Sequence, residues 1–118
     1  MDELSTSAGR SSAAGSRMEI LGDGPRLQLV GDLDGRSTYW VRDAVDAAVA
    51  AYERVVVDLS EVDNADLTGL RVLAVASWRA THAGRHLLVA GPRPGVRRLM
   101  HVSHLARLLE VERLDVPA

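Results

Sequence analysis

Residues 63–70 gather the densest set of groups that could do chemistry: Asp63, Asn64, Asp66 and Thr68, closed by Gly69 and Leu70. A carboxylate two residues from a hydroxyl serves either of two purposes. In the first, Asp66 and Thr68 cap a helix. A side-chain oxygen there accepts a hydrogen bond from a free backbone amide and contributes about 1 kcal/mol. In the second, the Thr68 hydroxyl is presented for phosphorylation. A phosphate at a helix start meets the positive end of the dipole and several unpaired amides, while Asp66 opposes the added charge. Gly69 lets another backbone or a ligand approach with no Cβ in the way. Residue types alone leave both purposes open.

Other chemistries find less support. The chain has no cysteine, which excludes disulfides, thiolate metal sites and cysteine nucleophiles together. His101 and His104 lie three apart, yet no third ligand is close in sequence, and a zinc site normally has three or four protein ligands. No metal or cofactor is expected. His82 and His86 flank a glycine turn and read as surface residues. Ser, His and Asp all occur, but no Gly-x-Ser-x-Gly elbow does. The stretch "GPRPG" lacks the Gly-Lys-Ser/Thr ending of a phosphate loop. No catalytic residue is assigned. Arg93, Arg97 and Arg98 form a small basic cluster that reads as a solvated face or a contact for an acidic partner.

The elements that must position residues 63–70 follow from periodicity. "MEIL" and "RLQLVG" flank "GDGP" and read as two short strands joined by a turn. In "YWVRDAVDAAVAAYE", Val41, Val45, Ala48 and Tyr52 fall at helical spacing, with Arg42, Asp43 and Asp46 outward. Asp34, Ser37 or Thr38 can cap that helix. The β-branched run at 55–59 predicts a strand covered on both faces. Gly69 to Thr81 predicts a second helix with Leu70, Leu73, Ala74 and Ser77 inward. "HLLVAG" predicts a strand. "PRPGVRRLMHV" opens a third helix with a proline near its start and Val96, Leu99 and Met100 inward. "LLEVE" predicts a last strand. The order β-β-α-β-α-β-α-β implies an α/β domain with a mixed sheet covered by helices. Residues 63–70 then lie at the carboxyl end of a central strand, the favoured place for functional groups in open α/β sheets.

A length of 118 residues suits one domain. Residues 1–17, rich in Ser, Ala and Gly, predict a mobile tail, so the domain is placed at 18–118. Fourteen basic residues against sixteen acidic, and 3% aromatic residues, leave neither a charge footprint for nucleic acid nor rings to stack on bases. No apolar run approaches the ~20 residues of a membrane span, and no signal peptide is evident. The expectation is a cytoplasmic protein with no direct nucleic-acid or membrane contact.

The segment Asp58-Leu59-Ser60, Val62, then Asp66-Leu67-Thr68-Gly69-Leu70 resembles the signature of STAS domains, specifically the bacterial anti-sigma factor antagonists. Gly31-Asp32-Leu33-Asp34 is similar to the family's Gly-Glu-Leu-Asp segment, and residues 91–111 to its last helix and strand. The resemblance spans about residues 18–113. It implies that Thr68 stands at the phosphorylatable position and Asp66 at the preceding acid. It also implies a partner surface comprising Asp34, Asp63, Asn64, Asp66, Leu67, Thr68, Gly69 and Arg71. The implied partner is an anti-sigma factor with serine/threonine kinase activity, with a phosphatase resetting the cycle and any nucleotide held by the kinase. Leu67 replaces the first hydroxyl of the usual pair, and Asp63 and Asn64 replace residues that are apolar or aromatic in many relatives. A STAS docking subunit of a transporter or sensory scaffold is the alternative.

Overall fold

Alternating apolar residues build a sheet in which Ile20, Leu29, Val57 and Val89 share one face. A computed structural model describes residues 10–12, 17–22 and 24–112. Its elements are β1 (Arg10–Ser12), β2 (Met18–Leu21), β3 (Arg26–Leu33), α1 (Thr38–Ala51), β4 (Arg54–Ala65), α2 (Leu67–His82), β5 (His86–Ala90), α3 (Pro94–Val102), a short 3₁₀ turn (Leu105–Arg107) and β6 (Glu110–Val111). The strands form one sheet in sequence order. β1–β2 and β2–β3 pair antiparallel, and β3–β4, β4–β5 and β5–β6 pair parallel. From β2 onward this is the expected β-β-α-β-α-β-α-β order. Arg10–Ser12 lies within the stretch expected to be a mobile tail, yet it pairs with β2; edge pairing uses backbone groups that any residue has. The rest of that stretch, residues 1–9 and 13–16, lies outside the described residues.

Leu27, Leu29, Val55, Val57, Leu59, Leu87 and Val89 form one core cluster with Val41, Val45, Leu70, Leu73, Val96 and Met100. All three helices therefore pack on the same face, while the 55–59 run is buried on both, with Val55 and Val57 beneath the helices and Val56 on the side they leave. On the opposite face Val56, Leu88 and Ala90 are buried as a separate small cluster. Arg26, in register with Val56, reaches Asp58 at 3.5 Å and Glu112 at 3.2 Å across that face. Its aliphatic stem is suited to shield the apolar residues beside it. The one inward hydroxyl of α2, on Ser77, donates to the carbonyl of Leu87 at 3.1 Å, so its burial leaves nothing unpaired.

β4 runs to Ala65, well beyond the 55–59 run. Two bulges carry it there. Leu59 and Ser60 together face Leu29, and Asp63 is an extra residue between the Gly31–Val62 and Asp32–Asn64 pairs. The first bulge shifts the alternation, so that even-numbered Val62 turns into the core. Arg93, just before α3, holds both irregularities: it donates to the Ser60 carbonyl at 2.9 Å and to Asp63 at 2.6 Å, and pairs with Glu61 at 3.6 Å. One member of the basic cluster thus ties α3 to the end of β4.

Asp58 gives the sheet a pH dependence. Burial raises its carboxyl pKa, but bonds from Ser60 and the charge of Arg26 outweigh burial and leave it lowered. The unfolded chain therefore takes up this proton at a higher pH than the folded one. The stability contribution is complete above the ordinary value of 3.8 and is lost as pH falls through that value toward the folded one. In urea unfolding from about pH 6 to pH 2, the gap between the unsubstituted protein and Asp58→Asn should shrink as pH falls. A gap independent of pH would contradict this role.

Candidate functional site

Asp66, not Thr68, caps α2. Its backbone is extended (φ −119°, ψ 176°), and its carboxylate accepts from the Gly69 amide at 2.8 Å. Its own carbonyl accepts from Leu70 at 3.0 Å. The helix begins at Leu67 rather than at Gly69. Thr68 is therefore its second residue, exposed, with its hydroxyl free of the capping role. Asp66→Ala should cost about 1 kcal/mol, a fall of several degrees in thermal midpoint for a domain of this size. Thr68→Ala should leave the midpoint nearly unchanged. Equal losses in a thermal melt would return Thr68 to the cap.

Gly69 is where the helix start meets the sheet. A Cβ there would lie 2.2 Å from the Leu33 carbonyl oxygen, too close for any side chain, so it is a backbone that approaches. The same carbonyl accepts from the Asp66 amide at 3.1 Å. This contact fixes the first turn of α2 on the end of β3 and points Thr68 to solvent, beside the β3–α1 loop. The Thr68 methyl group is near Gly35, 3.9 Å from where a Cβ would stand.

That loop is closed by Asp34, whose carboxylate accepts from the Arg36 amide and guanidinium, each at 2.9 Å. The Arg36 bond holds the Asp34 carboxyl below its usual range. None of the three capping candidates makes a side-chain cap on α1. Ser37 occupies the N-cap position but bonds backwards to the Asp32 and Asp34 carbonyls, and Thr38 bonds to the Gly35 carbonyl.

The implied partner residues divide. Asp34, Asp66, Leu67, Thr68 and Arg71 surround the start of α2, with Gly69 packed beneath. Asp63 instead engages Arg93, and Asn64 donates to the nearly buried Asp32 at 3.1 Å. Thr68 and Arg71 also open a groove of roughly 350 Å³ between α1 and α2, which Thr38, Tyr39, Arg42, Val72, Val75 and Arg79 complete. Sequence reasoning missed this groove. The i, i+4 series Arg71, Val75 and Arg79 was its one local signal, and the facing residues of α1 are tertiary neighbours. Tyr39, Leu67 and Val75 are exposed at 72%, 41% and 42%, an apolar surface beside a free hydroxyl. It is suited to contact with another macromolecule.

The model of the family described as "Mlab, STAS domain" matches residues 16–110. The chain belongs to the STAS domain family. Among solved structures, this STAS domain is similar to an anti-sigma factor antagonist from Mycobacterium paratuberculosis, with a TM-score of 0.65, 22% identity, and coverage of 83% of this chain and 86% of that one. It is also similar to the Bacillus anti-sigma factor antagonist SpoIIAA. The unphosphorylated form gives a TM-score of 0.64 at 15% identity, covering 81% and 88% of the two chains. The phosphorylated form gives 0.58 at 13%, covering 81% and 91%. SiaC of Pseudomonas aeruginosa matches with a TM-score of 0.60 at 18% identity over 86% and 91%, and a further structure holds SiaC as activator in complex with the diguanylate cyclase SiaD. No curated protein sequence matches the chain. Among the described residues, no helix of the STAS domain is long and apolar enough to cross a membrane.

Proposed function

We propose that this STAS domain is an anti-sigma factor antagonist, a binding module switched by phosphorylation of Thr68. Unmodified, it binds an anti-sigma factor with serine/threonine kinase activity and so frees a sigma factor for transcription. The kinase then transfers the γ-phosphoryl group of ATP to Thr68. A bond forms from Oγ1 to phosphorus, the bond to the ADP leaving oxygen breaks, and the hydroxyl proton is released. The modified domain leaves the complex, and a phosphatase restores it.

The observation that carries this reading is the division of labour at the start of α2. Asp66 does the capping, which leaves Thr68 an exposed hydroxyl with no hydrogen bond to another described side chain. The family's antagonists and the two solved forms of SpoIIAA support the assignment. Incubating the domain with ATP and the kinase captured from native cells, then mapping by mass spectrometry, should place phosphate on Thr68 and none on a Thr68→Ala variant. Modification at other positions only, or none, would contradict it.

A second reading has support from SiaC, a structural neighbour seen in complex with a cyclase. In it the same surface docks on a scaffold or transporter subunit, with no sigma factor involved. A captured partner lacking ATP-dependent kinase activity toward Thr68 would favour it.

A further inference from the structure

We propose that a phosphoryl group on Thr68 settles into the α1–α2 groove, held by Arg71 and Arg42. The inference rests on the reading that Thr68 is the modified residue, and it specifies what the free, modified domain does with the new charge. Arg71 follows Thr68 by three residues, so the two lie on neighbouring positions of one helix face. Helical side chains lean toward the N-terminus, which inclines Arg71 back over Thr68. Arg42 enters from the other wall of the same groove, stacked over the Tyr39 ring at 4.7 Å. The planar guanidinium forks of both suit phosphate oxygens.

The surrounding charges favour a dianion there. Among the described residues Arg71 and Arg79 have no ion-pair partner, and Arg42 has only a 3.8 Å contact with exposed Asp43. No carboxylate lines the groove. Asp66 is committed to the Gly69 amide, and Asp34 to Arg36. Arg79 lines the far end; eleven residues from Thr68, at 1.5 Å per residue, place it about 16 Å along the helix, beyond contact. The groove thus pairs two near arginines with a hydroxyl and keeps a third as an internal control.

Phosphothreonine incorporated at position 68 during synthesis makes the test independent of any kinase. The second phosphate pKa, about 6 in a free phosphomonoester, is read from the ³¹P shift against pH. Adjacent cations favour the dianion, so the value should be lower by about half a unit to one unit in the unsubstituted domain than in Arg71→Ala or Arg42→Gln. Arg71 is exposed, and Gln retains most of the stem of half-buried Arg42, so both variants are suited to fold. Arg79→Ala should leave the curve in place. Superimposable curves for the unsubstituted, Arg71→Ala and Arg42→Gln forms would overturn the proposal, as would an equal shift from Arg79→Ala. Those outcomes leave open whether cells modify Thr68. Conversely, absence of phosphate at Thr68 in native cells would remove the modification reading and leave this titration standing.

Discussion

Val57→Asp should yield no cooperatively folded domain, whereas Val56→Asp should fold with reduced stability. The two residues are neighbours on β4 but face opposite ways. Val57 is fully buried beneath the helices, in register with Leu27 and Val89 and within the main apolar cluster. An unpaired carboxylate there costs several kcal/mol, against a total stability of about 5–15 kcal/mol for a typical domain. Val56 lies on the other face, in register with Arg26, so a new carboxylate meets a guanidinium at the edge of a small cluster. Its expected cost is about 1–3 kcal/mol. Far-UV circular dichroism with urea unfolding reads both. A cooperative transition for Val57→Asp near the unsubstituted midpoint, or equal damage from both variants, would contradict the one-sided packing of the helices.

The difference between those two valines marks where sequence ceased to be legible. A β-branched run reports burial but not what buries it. Periodicity was informative for the helices: Val41, Val45 and Ala48 of α1, Leu70, Leu73, Ala74 and Ser77 of α2, and Val96 and Met100 of α3 are all buried as their spacing implies. Leu99 is only half-buried, and Tyr52 lies outside α1 with 41% exposure. The end of β4 was opaque because two bulges break the alternation that would identify a strand, leaving Ser60 to Ala65 with the composition of a loop. Asp66 and Thr68 both belong to the capping class, and both precede an amide by the right spacing. The choice between them is made by Gly69, whose contact with the Leu33 carbonyl sets the phase of the first turn. That contact joins residues 36 apart, and the Arg93 link to Asp63 joins residues 30 apart; neither leaves a local pattern. The STAS signature pointed to Thr68, but the groove beside it depends on how α1 packs against α2.

Phosphorylation of Thr68 should weaken binding to the kinase partner by roughly two to three and a half decades. The proposed contact closes over an exposed hydroxyl flanked by Leu67, Gly35 and the α1–α2 groove. A dianion held by Arg71 and Arg42 draws both arginines away from that contact, and a partner closing over the group strips its water. Burying a charge whose pairing does not repay its desolvation costs about 3–5 kcal/mol, and each 1.4 kcal/mol is tenfold in affinity. Thr68→Glu should act in the same direction but less strongly, having one charge and a different shape. Thr68→Ala should bind like the unmodified protein, because Asp66 keeps the cap. The phosphorylated domain should remain folded with near-unchanged stability, since the modified residue is exposed. The most direct test is a calorimetric titration of the purified kinase partner with unmodified, Thr68→Ala and Thr68-phosphorylated domain. The account predicts equal affinity for the first two and at least a hundredfold loss for the third; equal affinity for all three would contradict it.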